Sequence, residues 1–538
     1  MIRPGNTMSI ISSIQNVTIQ YHDTVRDNIF ENISITTVPD SIIEPPSLKR
    51  EPYFNGPEEI HTLVPTLPTE YHFGIINILV QETPMNRTPI FVLFSNDISG
   101  SMNECCADGS TKMEHSIHTI RNILILFANQ SDEIDIWVQV NGFDDKIDKI
   151  IPAQKVTTDN LDMLLGLLKK MRPRNGTNIE LAMRNANAEM RQFHEEHPDF
   201  IISHIFTTDG NANVGSCDAL GLSGCVDSQF LNTFIGFGYD HSAKILNAMA
   251  NNKNAQYYFI DNIENGGLVF GEIIHTILYR ALTDVVINVK GGDGSGCIYN
   301  YKTNTWDKTI TVGSLTGEAN KVYHLRCSSP DDLILEVTGV NVCITNQDFI
   351  ETATLIEPTD LSKYLFRQRT QELLYESQQE IFSADFKSRV NQHLVNLKRY
   401  MELFQLTKEP FFVGLHDDIV IIINTNGTEY SEMFTIARAN TNGRGLSYNV
   451  SDVPTIVPKW NGRRMPKRQH GRAFFGNINT NTIDYNAGDD DEDDEHYDDT
   501  ASGPPTRMLS SSPLNRAYST PRQIEVMRSC SQPMSVET

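Results

Sequence analysis

Ile90-Phe-Val-Leu-Phe-Ser-Asn-Asp97-Ile-Ser-Gly-Ser101 is the stretch on which the reading of this chain turns. Its first five residues are apolar without alternation, the pattern of a strand covered on both faces, and the run then breaks into short polar residues and glycine. Such a strand fits a parallel sheet, and its polar continuation falls in the loop at the strand's carboxyl end, where open α/β sheets bind ligands. From 88 to 282 the same pattern repeats. Ser116–Ala128 reads as a helix, Ile134–Phe143 as a strand, Leu161–Met171 and Ile179–Phe193 as helices, and Phe200–Thr207 and Asn232–Gly236 as strands. Gln256–Ile260 reads as a last strand and Phe270–Tyr279 as a closing helix. This alternation predicts one α/β domain, a doubly wound, mostly parallel Rossmann-like sheet with helices on both faces.

The flanks follow other rules. Residues 1–87 hold short β-branched patches, among them Ile33–Val38 and Tyr71–Val80, parted by Pro45-Pro46 and Pro65, and read as strands whose partners lie elsewhere. Residues 283–350 return to alternating strands, such as Val285–Val289 and Leu333–Val337, with glycine-rich turns. They predict a small β-sandwich, completed by the N-terminal strands, so that the doubly wound domain is inserted between sandwich strands. For 351–451 a helical region with a short β extension is expected, because Phe382, Phe386, Val390, Leu394, Leu397 and Met401 recur along one helical face. In residues 452–538 the cations Lys459, Arg463, Arg464, Lys467, Arg468 and Arg472 precede the acidic run Asp489–Asp499, and Ser, Pro and Arg follow. This composition predicts a disordered charged tail.

Bulk properties narrow the partners. The chain has 538 residues, 39% of them hydrophobic, and a formal charge of -24. Such a field disfavours nonspecific attraction to nucleic acid or to anionic lipid. No stretch approaches the roughly 18 uninterrupted apolar residues of a membrane helix, and residues 1–15 lack the pattern of a secretory signal. Eight cysteines, two of them adjacent at Cys105 and Cys106, do not form a dense disulfide scaffold. The expectation is a soluble, intracellular, cytoplasmic protein that binds proteins, with no nucleic-acid or membrane partner. Nothing in the sequence fixes its oligomeric state.

The chemistry lies in three loops. Asp97, Ser99 and Ser101 follow the first strand; Thr177, in Asn175-Gly176-Thr177-Asn178, precedes a helix; Asp209, in Thr208-Asp209-Gly210, ends another strand. Five hard oxygens converging on one spot suit Mg2+ or Mn2+, whereas sulfur or imidazole would favour zinc. A cation held largely by uncharged hydroxyls stays electrophilic, and gains by accepting a carboxylate from a partner. Other signals are weaker. Asp209-Gly210-Asn211-Ala212-Asn213 begins like a calcium loop but has Val214 at the glycine position and Leu220 at the position of the bidentate Glu. Ser99 is not in Gly-x-Ser-x-Gly and no histidine can be tied to it, so no catalytic residue is assigned. Cys105, Cys106, Cys217 and Cys225 fall in loops on the same face; a disulfide, a zinc rim and free thiols all remain open for them.

Asp-x-Ser-x-Ser, then Gly-Thr, then Thr-Asp-Gly, in order along an α/β domain, resembles the von Willebrand factor A family over roughly residues 88 to 282. The resemblance implies a metal-ion-dependent adhesion site in which Ser99, Ser101 and Thr177 ligate the metal, while Asp97 and Asp209 do so directly or through water. It implies divalent-metal-dependent capture of a protein partner that offers Asp or Glu, with no enzymatic step. The β-rich flanks and trailing helices further resemble intracellular A-domain proteins that embed the domain in a β-sandwich, including uncharacterised proteins of giant DNA viruses. The abundance of Asn, Ile and Asp fits such a source. Two alternatives stand beside this reading: a structural protein, for instance of a virion, with a vestigial metal site, and a metal-dependent hydrolase.

Overall fold

A computed structural model describes residues 14–21, 62–82, 88–106, 109–238, 240–260, 266–291, 294–330, 333–342, 347–379, 383–426, 428, 430–444 and 521–532. In chain order, β1 (Ile14–Tyr21) and β2 (His72–Val80) come first. The doubly wound domain follows, with β3 (Ile90–Asp97), α1 (Lys112–Asn129), β4 (Ile136–Phe143), β5 (Ile147–Lys155), α2 (Leu161–Leu168) and α3 (Ile179–Glu196). It continues with β6 (Ile201–Thr208), α4 (Ala219–Ser223), β7 (Leu231–Phe237), α5 (Ala243–Ala250), β8 (Ala255–Ile260) and α6 (Gly266–Leu278). Its sheet runs β5-β4-β3-β6-β7-β8, parallel except that the edge strand β5 pairs antiparallel to β4.

The unbroken apolar run of β3 now has its reason. Ile90, Val92 and Phe94 enter the core under α1, α2 and α6, while Phe91 and Leu93 enter the opposite layer against Ala186, Met190 and Phe193 of α3. All five are essentially inaccessible, and each such side chain contributes roughly 1.5–3 kcal/mol on burial. With both layers filled, β3 is fixed at the centre of the sheet and its polar end is delivered to one rim.

Eight further strands follow: β9 (Arg280–Gly291), β10 (Cys297–Asn300), β11 (Thr305–Asp307), β12 (Thr309–Thr316), β13 (Asn320–Cys327), β14 (Leu333–Asn341), β15 (Gln347–Thr352) and β16 (Thr354–Leu355). They make two sheets, β11-β10-β13-β2-β1-β16 and β12-β9-β14-β15. Between them lies one core that joins Val17, Ile19, Ile76 and Ile78 to Val285, Ile287, Leu335 and Val337. The doubly wound domain is therefore inserted between sandwich strands, with β1 and β2 filling the middle of the larger sheet. The strands run on to Leu355, five residues past the expected boundary at 350.

Helices α7 (Ser362–Gln379), α8 (Ala384–Leu403), α9 (Pro410–Thr425) and α10 (Ser431–Arg444) form a bundle around Phe366, Phe386, Leu397 and Leu415. The expected β extension within 351–451 is confined to its start, at β15 and β16. Helix α9 is capped by Glu409 and opened by Pro410, and it buries Ile419 and Ile422 on one face.

The expectation of a wholly disordered tail is corrected at one place. Residues 521–530 form a helix, α11 (Pro521–Cys530), laid across α6 and α1 with Val526, Met527 and Cys530 buried. Two glycines of α6 admit it. A Cβ on Gly271 would lie 2.4 Å from Met527 Cα, and one on Gly267 2.5 Å from Cys530 O. Asn122 donates to the carbonyls of Cys530 (3.1 Å) and Gln532 (3.2 Å), and Arg522 pairs with Glu82 at 3.1 Å. The Ile33–Val38 patch and the tail's basic and acidic runs lie outside the described residues.

Candidate metal centre

The five oxygen-bearing residues all stand at the carboxyl rim of the sheet, on three loops that hydrogen-bond to one another. Ile98 N–H donates to Phe143 O (2.9 Å), Arg174 N–H to Ile98 O (2.7 Å) and Gly100 N–H to Asn175 O (3.1 Å), which ties the first loop to the second. Thr177 N–H donates to Asn213 Oδ1 (2.8 Å) and Asn213 N–H to Thr177 O (3.0 Å), which ties the second to the third. Asn175 sits at φ 56°, in the left-handed region that Asn tolerates, and so turns the chain sharply before Thr177.

Side chains join across these loops. Ser99 and Ser101 hydroxyl oxygens lie 3.1 Å apart, and Ser101 Oγ donates to Asp209 Oδ1 at 2.7 Å. A Cβ placed on Gly210 would stand 3.5 Å from Thr177 Oγ1 and 3.7 Å from Ser101 Oγ, so both hydroxyls face the same small space. Asp97 Oδ1 accepts from Ser99 N–H (2.7 Å) and Oδ2 from Thr208 Oγ1 (2.6 Å). The structure thus brings Asp97, Ser99, Ser101 and Asp209 into one hydrogen-bonded network, with Thr177 at its edge.

Sequence reasoning missed several residues of this site. Ser95 and Asn96, polar where β3 is otherwise apolar, are locked in place. Asn96 Oδ1 accepts from Ser116 Oγ of α1 and Thr207 Oγ1 of β6, both at 2.7 Å, and Ser95 Oγ lies 2.9 Å from His204 Nε2. They fix the strand end from which Asp97 projects. Lys112 is the larger omission: its ammonium donates to Asp209 Oδ2 and to Glu104 Oε2, each at 2.7 Å. The residues between hold Lys112 and Glu104 together, because Lys112 N–H donates to Glu104 O (3.0 Å), Cys105 bridges to Thr111, and Thr111 and Glu114 form a capping box for α1. Spacing alone could not pair Lys112 with Glu104 and Asp209 in the sequence.

The electrostatics are those of a site short of positive charge. Burial first, and the neighbouring Asp209 second, push the Asp97 carboxyl up to about 7, against the hydrogen bonds from Ser99 and Thr208. Burial also lifts Asp209 above its ordinary value, against the pull of Lys112. Asp97, Asp209 and Glu104 carry three negative charges and Lys112 one positive, a sum of -2 when all are ionised. Two carboxylates and three hydroxyls, all oxygen, with an uncompensated charge of that size, fit a hard divalent cation. Such a cation would be held by Ser99, Ser101 and Thr177, with Asp97 and Asp209 beside them.

None of the four cysteines of this face forms a disulfide; Cys217 donates to Gly215 O (3.5 Å) and Cys225 to Gly221 O (3.4 Å). Among the described residues no group of His, Cys, Asp and Glu forms a three-ligand metal cluster, which leaves the zinc-rim alternative without support. Nor does any histidine among them hydrogen-bond to Ser99, Ser101 or Thr177. No helix among the described residues is long and apolar enough to cross a membrane.

No family model and no curated protein matches the chain. Among solved structures it is similar to a von Willebrand factor type A protein from Catenulispora acidiphila, at 12% identity and a TM-score of 0.48 over 69% of this chain and 92% of that one. It is similar to an ArnB paralog from Sulfolobus acidocaldarius, at 13% identity and a TM-score of 0.42 over 71% of this chain and 94% of that one. A third is proximal thread matrix protein 1 of the mussel byssus with a zinc-occupied metal-ion-dependent adhesion motif, at 16% identity and a TM-score of 0.31 over 37% of this chain and 51% of that one. By its own sheet order, antiparallel edge strand and three converging loops, the doubly wound domain has the von Willebrand factor A fold.

Proposed function

We propose that this chain is a non-enzymatic protein-binding module whose adhesion depends on a divalent cation, Mg2+ or Mn2+, carried by Ser99, Ser101, Thr177, Asp97 and Asp209. The observation that carries the reading is the network Asp97–Ser99–Ser101–Asp209, gathered at the rim of a parallel sheet and left with more negative than positive charge. When bound, the cation supplies an electrophile for a carboxylate of the partner. The chain's own residues do the rest. Ser99, Ser101 and Thr177 offer neutral oxygens, and the Thr208 hydroxyl and Ser99 amide orient Asp97. The free thiols of the described cysteines support a reducing compartment, which we take to be intracellular.

Peptide display against the full chain in Mg2+ tests this. Selected peptides are expected to share an Asp or Glu, and to be lost on adding EDTA or on Asp97→Ala. Binders without an acidic residue, or binding that survives EDTA, would contradict the reading. Hydrolysis of a phosphoester panel that EDTA abolishes would replace it with an enzymatic one.

A further inference from the structure

We infer that Lys112 is a resident cation that competes with divalent metal for Asp209 and so sets the affinity of the site. The inference rests on the metal reading above and concerns what that site must do before a metal enters. Asp209 is the contested group: one of its carboxylate oxygens accepts from Ser101, the other from the Lys112 ammonium. A metal drawing on Asp209 therefore meets a positive charge already placed against it.

Several features show that this contact is built. Lys112 is the first residue of α1, and a cation at a helix N-terminus opposes the helix dipole, so the helix end by itself disfavours the ammonium there. Its side chain is only 12% exposed while that of Asp209 is fully buried, which makes the pair stronger than a surface ion pair. Burial works against the ammonium, yet Asp209 and Glu104 outweigh it and hold Lys112 above its ordinary value.

Glu104 makes the competition reversible. Its carboxylate is 57% exposed and already touches the same ammonium. When a divalent cation takes Asp209, Lys112 keeps Glu104 as a partner instead of being left buried and unpaired, which would be costly. The segment Glu104–Lys112 is thus a counter-ion holder: Glu104 O accepts from Lys112 N–H, and the Thr111–Glu114 capping box fixes the start of α1.

The test is Mn2+ binding to the full chain, followed by electron paramagnetic resonance of free Mn2+, for wild type, Lys112→Met and Glu104→Gln. Lys112→Met is expected to bind Mn2+ roughly tenfold more tightly, the scale of one partly buried charge pair, and Glu104→Gln several-fold more weakly. Circular dichroism confirms that each variant is folded, and Lys112→Arg, which keeps the charge, is expected to stay near wild type. If wild type binds but Lys112→Met binds equally or less tightly, this inference is overturned and the metal reading survives. If Lys112→Met alone binds, the inference stands and the native chain is not a metal-presenting module. If neither binds at millimolar Mn2+, both fail.

Discussion

Two buried acidic centres in this molecule are built on opposite plans. In the helical bundle, fully buried Asp418 meets Arg438, whose side chain is 4% exposed, and also accepts from Asn442 Nδ2 at 2.8 Å. Arg367 and Gln371 of α7 hydrogen-bond to Asn442 in turn, so one carboxylate is met by a guanidinium and an amide, with a second guanidinium and a second amide behind them. At the rim of the doubly wound sheet, the one ammonium that meets Asp209 is divided with Glu104, and Asp97 is held by hydrogen bonds from Ser99 and Thr208. The bundle centre is finished, its carboxylate met by cation and amide; the rim centre is short of cation. A finished network fixes α7, α9 and α10 to one another, whereas an unfinished one is where a ligand adds stability.

The largest expected effect breaks the finished centre. Asp418→Ala leaves Arg438 buried without its carboxylate and should cost about 3–5 kcal/mol in urea unfolding, with no change in response to Mg2+. A loss below 1 kcal/mol would mean that the bundle centre is not finished as described.

Next in size is the tail helix. Gly271→Val pushes a side chain into Met527, whose Cα would already lie 2.4 Å from a Cβ. It should cost roughly 1–3 kcal/mol and expose residues 521–532 to hydrogen exchange. Unchanged protection there would contradict the packing of α11 on α6.

Smaller still is a pH effect spread over both regions. Burial pushes His204 in the sheet down to about 4 and His393 in the bundle down to about 3, from an ordinary value of 6.5. Each stays neutral in the fold but takes a proton in the unfolded chain below about 6.5, so stability is full above that pH and falls as pH drops toward 4. The loss should be about 1 kcal/mol per imidazole by pH 5.5, and His204→Gln should remove its share. An unchanged pH slope in that variant would refute the assignment.

The contrast also explains what could be read from the sequence. β3 was legible because burial on two faces forces an unbroken apolar run, and Asp97, Ser99, Ser101, Thr177 and Asp209 because three polar loops stand in fixed order, two after strands and one between helices. Lys112 was not, since its pairing depends on how the segment after Asn103 folds back on itself. Helix α11 was hidden for a related reason. Ten residues in a Ser-, Pro- and Arg-rich tail have no helical stability of their own, and the groove that holds them is set by Gly267 and Gly271, some 250 residues earlier.

The most direct test of the central claim is the thermal unfolding midpoint of wild type and Ser99→Ala, each with EDTA and with millimolar Mg2+ or Mn2+. A ligand that binds only the folded state raises the midpoint by mass action, by about 2.7 kcal/mol of stability at a hundred times its dissociation constant. The account predicts a rise for wild type that Ser99→Ala lacks or shows much reduced, with both proteins alike in EDTA. An equal rise in both proteins, or none in wild type, would contradict it.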